Sequence, residues 1–315
     1  MNKLSSIAMI GLFLLVTVRG VLAQPETQVE KLLRFMKIGD LTNSLEIVQN
    51  IDSVNYRDKN GMSLLMSAIE AGYTKVCGIL IDKGANIDYQ RADGATPLIM
   101  ACRFRDPNVV SYLLAKGANP DLQSINGSTA LIWTSIIGRA NVVKILVDNG
   151  ANPDIQGQDG STALIWASLK GYTDVVNLLM DKGANSGLMR SDGETALLIA
   201  LQAGMTEVVK VLLEKGANPD QVGSDEISAL MRCSQLGNTE IVKLLLEKGA
   251  NPNLRGKNGY TALMIASMNG HTDIVTELLN KSANPELKNA DGKSALDLAS
   301  NSDIMSLLAN IKKPE

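Results

Sequence analysis

The chain has 315 residues, 45% apolar and 20% charged, with 30 basic against 33 acidic side chains and a formal net charge of −3. That length supports a sizeable core, and the charge balance lacks the basic excess expected of a nucleic-acid binder. With one histidine, His271, and three cysteines, a Ser-His-Asp site, a Cys-His site or a His-based zinc centre has almost nothing to draw on, so no enzyme activity, metal or cofactor is expected.

Residues 1–23 read as a secretory signal peptide. Lys3 gives a positive start, Ile7–Val18 is an apolar run interrupted only by Gly11 and Thr17, and Val21-Leu22-Ala23 precedes a cleavage point after Ala23. The run is short for a transmembrane span; an uncleaved anchor is the alternative. Without Lys3 and Arg19 the chain keeps 28 basic and 33 acidic residues. The expectation is an exported protein, periplasmic or secreted, with no membrane contact beyond the export signal.

Residues 24–60 form a degenerate first unit. Val29, Leu32, Leu33 and Met36 have helical spacing, Glu30, Lys31, Arg34 and Lys37 give a polar outer face, and Leu45, Ile47, Val48 and Ile51 supply a second helix. A more charged terminal unit suits an array that must show water one of its ends.

From Gly61 onward the sequence repeats every 33 residues without insertion, through seven full units over 61–291 and a truncated capping unit over 292–315. The lead position holds Gly61, Gly94, Gly127, Gly160, Gly193, Glu226, Gly259 and Gly292, and four residues on every unit has Leu. A fixed period of this size marks a solenoid. In the unit Gly160–Ser186, Thr162 is placed to cap a first helix that Gly171 ends, and Thr173 to cap a second that Gly183 ends. Val175, Val176, Leu178, Leu179 and Met180 supply the buried side of the second helix. Three departures stand out: Asp106-Pro107 replaces the usual helix lead-in, Ser186-Gly187 replaces Pro-Asp, and Glu226 replaces the lead glycine. The connections around 186–190 and 223–228 are therefore expected to be irregular. In the last unit Asp297 stands where earlier copies are apolar, and a second helix is expected over Asp303–Ile311.

Gly-x-Thr-Ala/Pro-Leu, then Ala, then Gly-x-Thr, then Val/Ile-Val-x-x-Leu-Leu, then Lys-Gly-Ala-Asn is similar to the ankyrin repeat, over about residues 26–311. The resemblance implies an all-α solenoid of helix-turn-helix units joined by hairpin-like turns. It also implies a non-catalytic scaffold that binds a protein partner, here expected to be a monomer. A secreted effector acting on another cell is the alternative. The family pattern usually has His after Thr-Pro-Leu; here Met66, Ile99, Ile132, Ile165, Leu198, Met231 and Met264 stand there, so apolar packing and a less rigid row of turns are expected. His271 falls where the pattern has a lead-in to the second helix, a structural position.

Cys77, Cys102 and Cys233 read as buried small apolar residues, with a Cys77–Cys102 disulfide as the alternative. Asp88, Asp121, Asp154 and Asp220 recur at one phase; one repeat apart, they lie too far from one another to share a calcium ion and read as turn-formers.

In arrays of the family, partners meet a concave side formed by hairpin tips and the ends of first helices. Carried onto this chain, that places the partner-binding residues at Arg103, Phe104, Ile136, Ile137, Leu169, Lys170 and Leu236. Phe104, Ile136, Ile137 and Leu169 would merge into an apolar patch rimmed by Arg103, Arg105 and Lys170; the alternative is that they pack between helices. Trp133 and Trp166, at one phase in adjacent units, are expected to pack along the stack, with display at the surface as the alternative.

Overall fold

In the computed structural model, residues 26–103 and 106–311 are described. The expected signal peptide at 1–23, Phe104 and Arg105, and the polar tail from Lys312 lie outside the described residues. The chain divides into two compact units, one ending at Asn86 and the other beginning at Ile87.

The first unit contains α1 (Gln28–Ile38), α2 (Leu41–Gln49), α3 (Leu64–Glu70) and α4 (Thr74–Asp82). A capping box starts α1. The Thr27 hydroxyl accepts from the Glu30 N–H at 3.2 Å, and the Glu30 carboxylate accepts from the Thr27 N–H at 2.8 Å. Val29, Leu32 and Met36 point into the core, while Arg34 faces water and donates to Glu26 at 2.9 Å. The polar outer face expected of a terminal unit is thus present.

The second unit stacks helix pairs: α5 (Pro97–Arg103) with α6 (Pro107–Ala115), α7 (Ala130–Ile136) with α8 (Ala140–Asp148), α9 (Ala163–Lys170) with α10 (Thr173–Asp181), α11 (Ala196–Gln202) with α12 (Thr206–Glu214), α13 (Ala229–Leu236) with α14 (Thr239–Glu247), and α15 (Ala262–Asn269) with α16 (Thr272–Asn280). The final helix is α17 (Ser302–Ile311). First helices pack on first helices and second helices on second helices from one pair to the next. The family's usual histidine position is filled by Ile99, Ile132, Ile165, Leu198, Met231 and Met264, all buried, as expected.

First helices start as the spacing predicts. The Thr162 hydroxyl accepts from the Ile165 N–H at 3.2 Å, and Thr96, Thr129, Thr195, Ser228 and Thr261 do the same one unit apart. Second helices start differently from the expectation. Thr173 is the first residue of α10 rather than its cap, and Tyr172 precedes it with no side-chain cap bond. The Thr173 hydroxyl instead reaches back to the Gly171 carbonyl at 3.5 Å. Asp106 does cap α6, accepting from the Asn108 N–H at 2.9 Å, with Pro107 in the first turn.

The lead position needs a left-handed backbone and no side-chain room. Gly127 has φ +77°, and a Cβ there would lie 2.7 Å from the Gln158 nitrogen. Glu226 holds the same conformation at φ +61°, a strain of about 1–2 kcal/mol for an L-residue. In the last unit, residues 295–298 form a turn rather than a first helix. Ser294 and Asp297 bond reciprocally there: the Asp297 carboxylate accepts from the Ser294 N–H at 2.8 Å and hydroxyl at 2.7 Å, and the Ser294 hydroxyl accepts from the Asp297 N–H at 3.4 Å, a capping-box pattern closed on a single turn.

None of Cys77, Cys102 and Cys233 is in a disulfide, and all three are buried. Burial pushes Cys102 and Cys233 up to about 12 from 9.0. Unfolding releases these protons between pH 9 and 12, so the unfolded chain binds fewer protons there and stability falls as pH rises through that window. At pH 8 Ellman's reagent should leave the thiols of the folded chain unreacted, and all three should react after urea is added. Fast reaction of a native thiol would contradict their burial.

Candidate functional site

The face built from hairpin tips and first helices is tied together by a side-chain ladder in the second unit. Asp88, Asp121, Asp154, Asp220 and Asn253 each accept a backbone N–H from the next repeat, at Asn119, Asn152, Asn185, Asn251 and Asn284, over 2.7–2.9 Å. The recurrent aspartates, expected to bond nearby N–H groups of their own turns, bond across the repeat boundary instead, and the local turn bonds come from Asn119, Asn152, Asn218 and Asn251. A second rail runs beside it. The amides of Gln90, Gln123 and Gln156 donate to carbonyls of the following repeat at Gln123, Gln156 and Met189 over 2.8–3.0 Å. Arg255 plays this part toward Lys288 at 2.7 Å. The row of turns, expected to be less rigid without the family histidine, is thus linked by other residues.

Both rails fail at one joint. Gly187 has no carboxylate to offer Asn218, and Met189 has no amide. The neighbouring residues replace them with charge. Arg232 pairs with Glu194 and, at 3.0 Å, with Asp225, and the Arg232 and Glu194 side chains are each only 11% exposed. The Ser224 hydroxyl donates to the Asp192 carbonyl across the same joint. The irregularity expected near 186–190 and 223–228 is confined to this exchange of side-chain partners: the backbone keeps the turn pattern of the other repeats, with Glu226 at φ +61°.

The sequence-predicted site residues fall at the ends of α5, α7, α9 and α13. Arg103 and Lys170 are exposed. Ile137 is 42% and Leu236 65% exposed, whereas Ile136 and Leu169 are half-buried. Because α5, α7 and α9 pack in sequence, Arg103, Ile136, Ile137, Leu169 and Lys170 belong to one run of helix ends. Leu236 does not join them: α11, ending at Gln202, stands between. It goes instead with Met268, 45% exposed at the end of α15, the next first helix. The apolar surface is therefore in two parts.

A cleft at a hairpin tip adds to this face. Ile125, at a hairpin tip, is 65% exposed, and a cleft of about 260 Å³ opens beside it. Met100 and the half-buried Trp133 line this cleft, and the Arg103 guanidinium stands 5.6 Å from the Trp133 ring centroid. Trp133 therefore lines a surface as well as packing. The signal was available in phase comparison, since the tip position of Ile125 is Gln158, Ser191 and Ser224 in the next three repeats.

His271 leads into α16, its Nε2 lies 3.4 Å from the Gln235 carbonyl, and its ring packs where a Cβ on Gly237 would come within 2.8 Å. Asp93 is held down at about 2 by the hydrogen bond from Arg91. Among the described residues no cluster of His, Cys, Asp and Glu is arranged to hold a metal ion, and no helix is long and apolar enough to cross a membrane.

Comparison with known proteins bears on the whole array. The family model for ankyrin repeats (three copies) matches residues 35–124, 106–190, 182–256 and 230–314. Among solved structures, the ankyrin repeat domain of Bcl-3, described as a unique member of the IkappaB protein family, is similar at 30% identity with a TM-score of 0.64, over 69% of this chain and 99% of that one. No curated protein sequence matches.

Arg232→Ala should cost about 3–5 kcal/mol, because it leaves Glu194 buried without its cation. Adding Glu194→Ser, with Arg232→Ile in place of alanine, should recover most of that loss, since Ser161 and Ile199 fill these positions in the preceding repeat. Urea midpoints of the three chains decide this; equal losses in the single and double variants would contradict it. Gly187→Asp should add about 1 kcal/mol by restoring the acceptor for the Asn218 N–H, read as a rise in the same midpoint.

Proposed function

The chain belongs to the ankyrin-repeat family, and from that premise we propose that it is an exported, non-catalytic scaffold that binds a protein partner on the concave face of its array. Ankyrin repeats are in general protein–protein interaction modules, which supports the coarse reading. The finer one rests chiefly on a single observation: Ile137 and Leu236 are exposed at the ends of first helices, at a phase where the repeats between them have Lys170 and Ala203. Arg103, Phe104, Ile136, Leu169 and Lys170 complete the proposed contact, with apolar side chains central and cations at the rim. Export rests on the signal-like residues 1–23. The chain acts as a monomer and needs no cofactor.

Capture from an envelope or secretome extract tests the face. A partner held by the parent should bind the Ile137→Glu/Leu236→Glu variant at least tenfold more weakly, because each change puts an unpaired charge in an apolar contact; both positions are exposed, so folding should survive. Equal binding by parent and variant would remove this face from the proposal. Intact mass of the chain recovered from its host should show loss of residues 1–23; a full-length mass would overturn export by cleavage.

A further inference from the structure

The cleft beside Ile125 has a chemistry narrower than a general binding face. It is enclosed by α5, α7 and the hairpin tip at residues 124–127. Its volume of about 260 Å³ falls below the several hundred Å³ usual for small-molecule sites and matches one or two side chains. Ile125 and Met100 form apolar walls, and Trp133 presents its ring.

Charge in and around the cleft is one-sided. The carboxylate of its single acid, Asp93, is engaged by the Arg91 Nε at 2.9 Å and the Ala95 N–H at 3.1 Å. Arg103 is exposed and makes no ion pair among the described residues; its guanidinium stands over the Trp133 ring. A second guanidinium stands at the same helix end, since Arg139 Nη1 donates to the Cys102 carbonyl at 3.1 Å. The backbone of the tip is already committed. The Ile125 N–H donates to the Asp93 carbonyl at 2.9 Å, the Ile125 carbonyl accepts from the Gln158 amide at 2.6 Å, and the Asn126 carbonyl accepts from the Gln158 N–H at 3.1 Å. A ligand therefore cannot add as a β-strand here and must be read through side chains.

We propose that this cleft receives a peptide segment of a protein partner that carries a large apolar side chain next to an Asp or Glu. The apolar side chain enters between Ile125, Met100 and Trp133, and the carboxylate takes the guanidinium donors of Arg103. The proposal rests on the concave-face reading and gives it a partner chemistry.

The probe is a phage-displayed library of random peptides selected on the full chain. The recovered sequences should share an acidic residue adjacent to Leu, Ile, Phe or Trp. A recovered peptide should bind roughly tenfold or more weakly when its acid becomes the amide, and likewise to Arg103→Gln, since one charge-assisted contact is lost. Arg103→Glu should regain affinity for the peptide whose acid is replaced by Lys. Peptides without the acidic residue, peptides indifferent to Arg103→Gln, or a library that yields none would overturn the proposal. Peptides indifferent to Arg103→Gln but lost with Ile137→Glu would sink the cleft and leave the concave-face reading standing; peptides indifferent to both would sink the two together.

Discussion

A helix of seven to nine residues does not persist alone in water, because nucleation fixes several residues before hydrogen bonds accumulate to offset the entropy lost. Every first and second helix in the second unit from α5 to α16 is of that length, so each exists only by burial against the helices before and after it. From this follows the strict 33-residue phase. Leu131, Leu164, Leu197 and Leu230 must land on one another's layers, and all are within 2% of full burial. One inserted residue would rotate a helix by about 100° and turn that leucine toward water. The left-handed lead positions serve the same end, since they bring hairpin backbones close enough for the Gln158 nitrogen to lie 2.7 Å from where a Gly127 Cβ would stand.

Stacking of apolar layers sets distance but not register along the hairpin edge. That register is held by the aspartate and glutamine rails, whose members bond forward by one repeat. Their failure at Gly187 and Met189 is informative because the joint is held by other means. The Glu194–Arg232–Asp225 cluster spans the same gap with charges only 11% exposed on two of its members. Such a cluster is seldom more stable than an apolar filling of the same volume. Its use here is better understood as specificity: the arginine bonds Glu194 on the preceding hairpin and Asp225 on its own at once, and so fixes two hairpins in relation where the usual rails are missing.

Most of the fold could be read from the sequence for the same reason that it is stable. Repetition multiplies each weak local signal, so Thr162 as a cap and Gly171 as a terminator gain support from their counterparts one period away. What repetition could not settle were positions where two local bonds compete. Thr173 looked like a cap, yet its hydroxyl turns back to the Gly171 carbonyl. At Asp297, where earlier copies are apolar, the carboxylate bonds back to Ser294 and the chain makes one turn in place of a first helix. The candidate face was legible only in part. Helix ends could be placed by counting, which located Ile137 and Leu236. Counting does not say which side chains a groove leaves open; phase comparison marks Ile125 as the apolar exception at its tip, but not the cleft beside it that the Trp133 ring lines.

Function is to be sought in what the array does not require. Core positions are constrained in every repeat, and their apolar character needs no further cause. The ends of first helices are free of that constraint, as Lys170, Ala203 and Asn269 show at the phase of Ile137 and Leu236. An Ile or Leu side chain there gains nothing from folding while it stays in water, and covering it fully would contribute about 1.5–3 kcal/mol. Stacking can supply no such cover, because the neighbouring helices are already seated against one another. The same holds for Ile125, which stands at a tip whose backbone bonds are already made. With Arg103 poised above Trp133 beside it, the uncovered apolar surface lies next to cationic donors free for a carboxylate. That pairing selects among partners in a way an apolar patch alone would not.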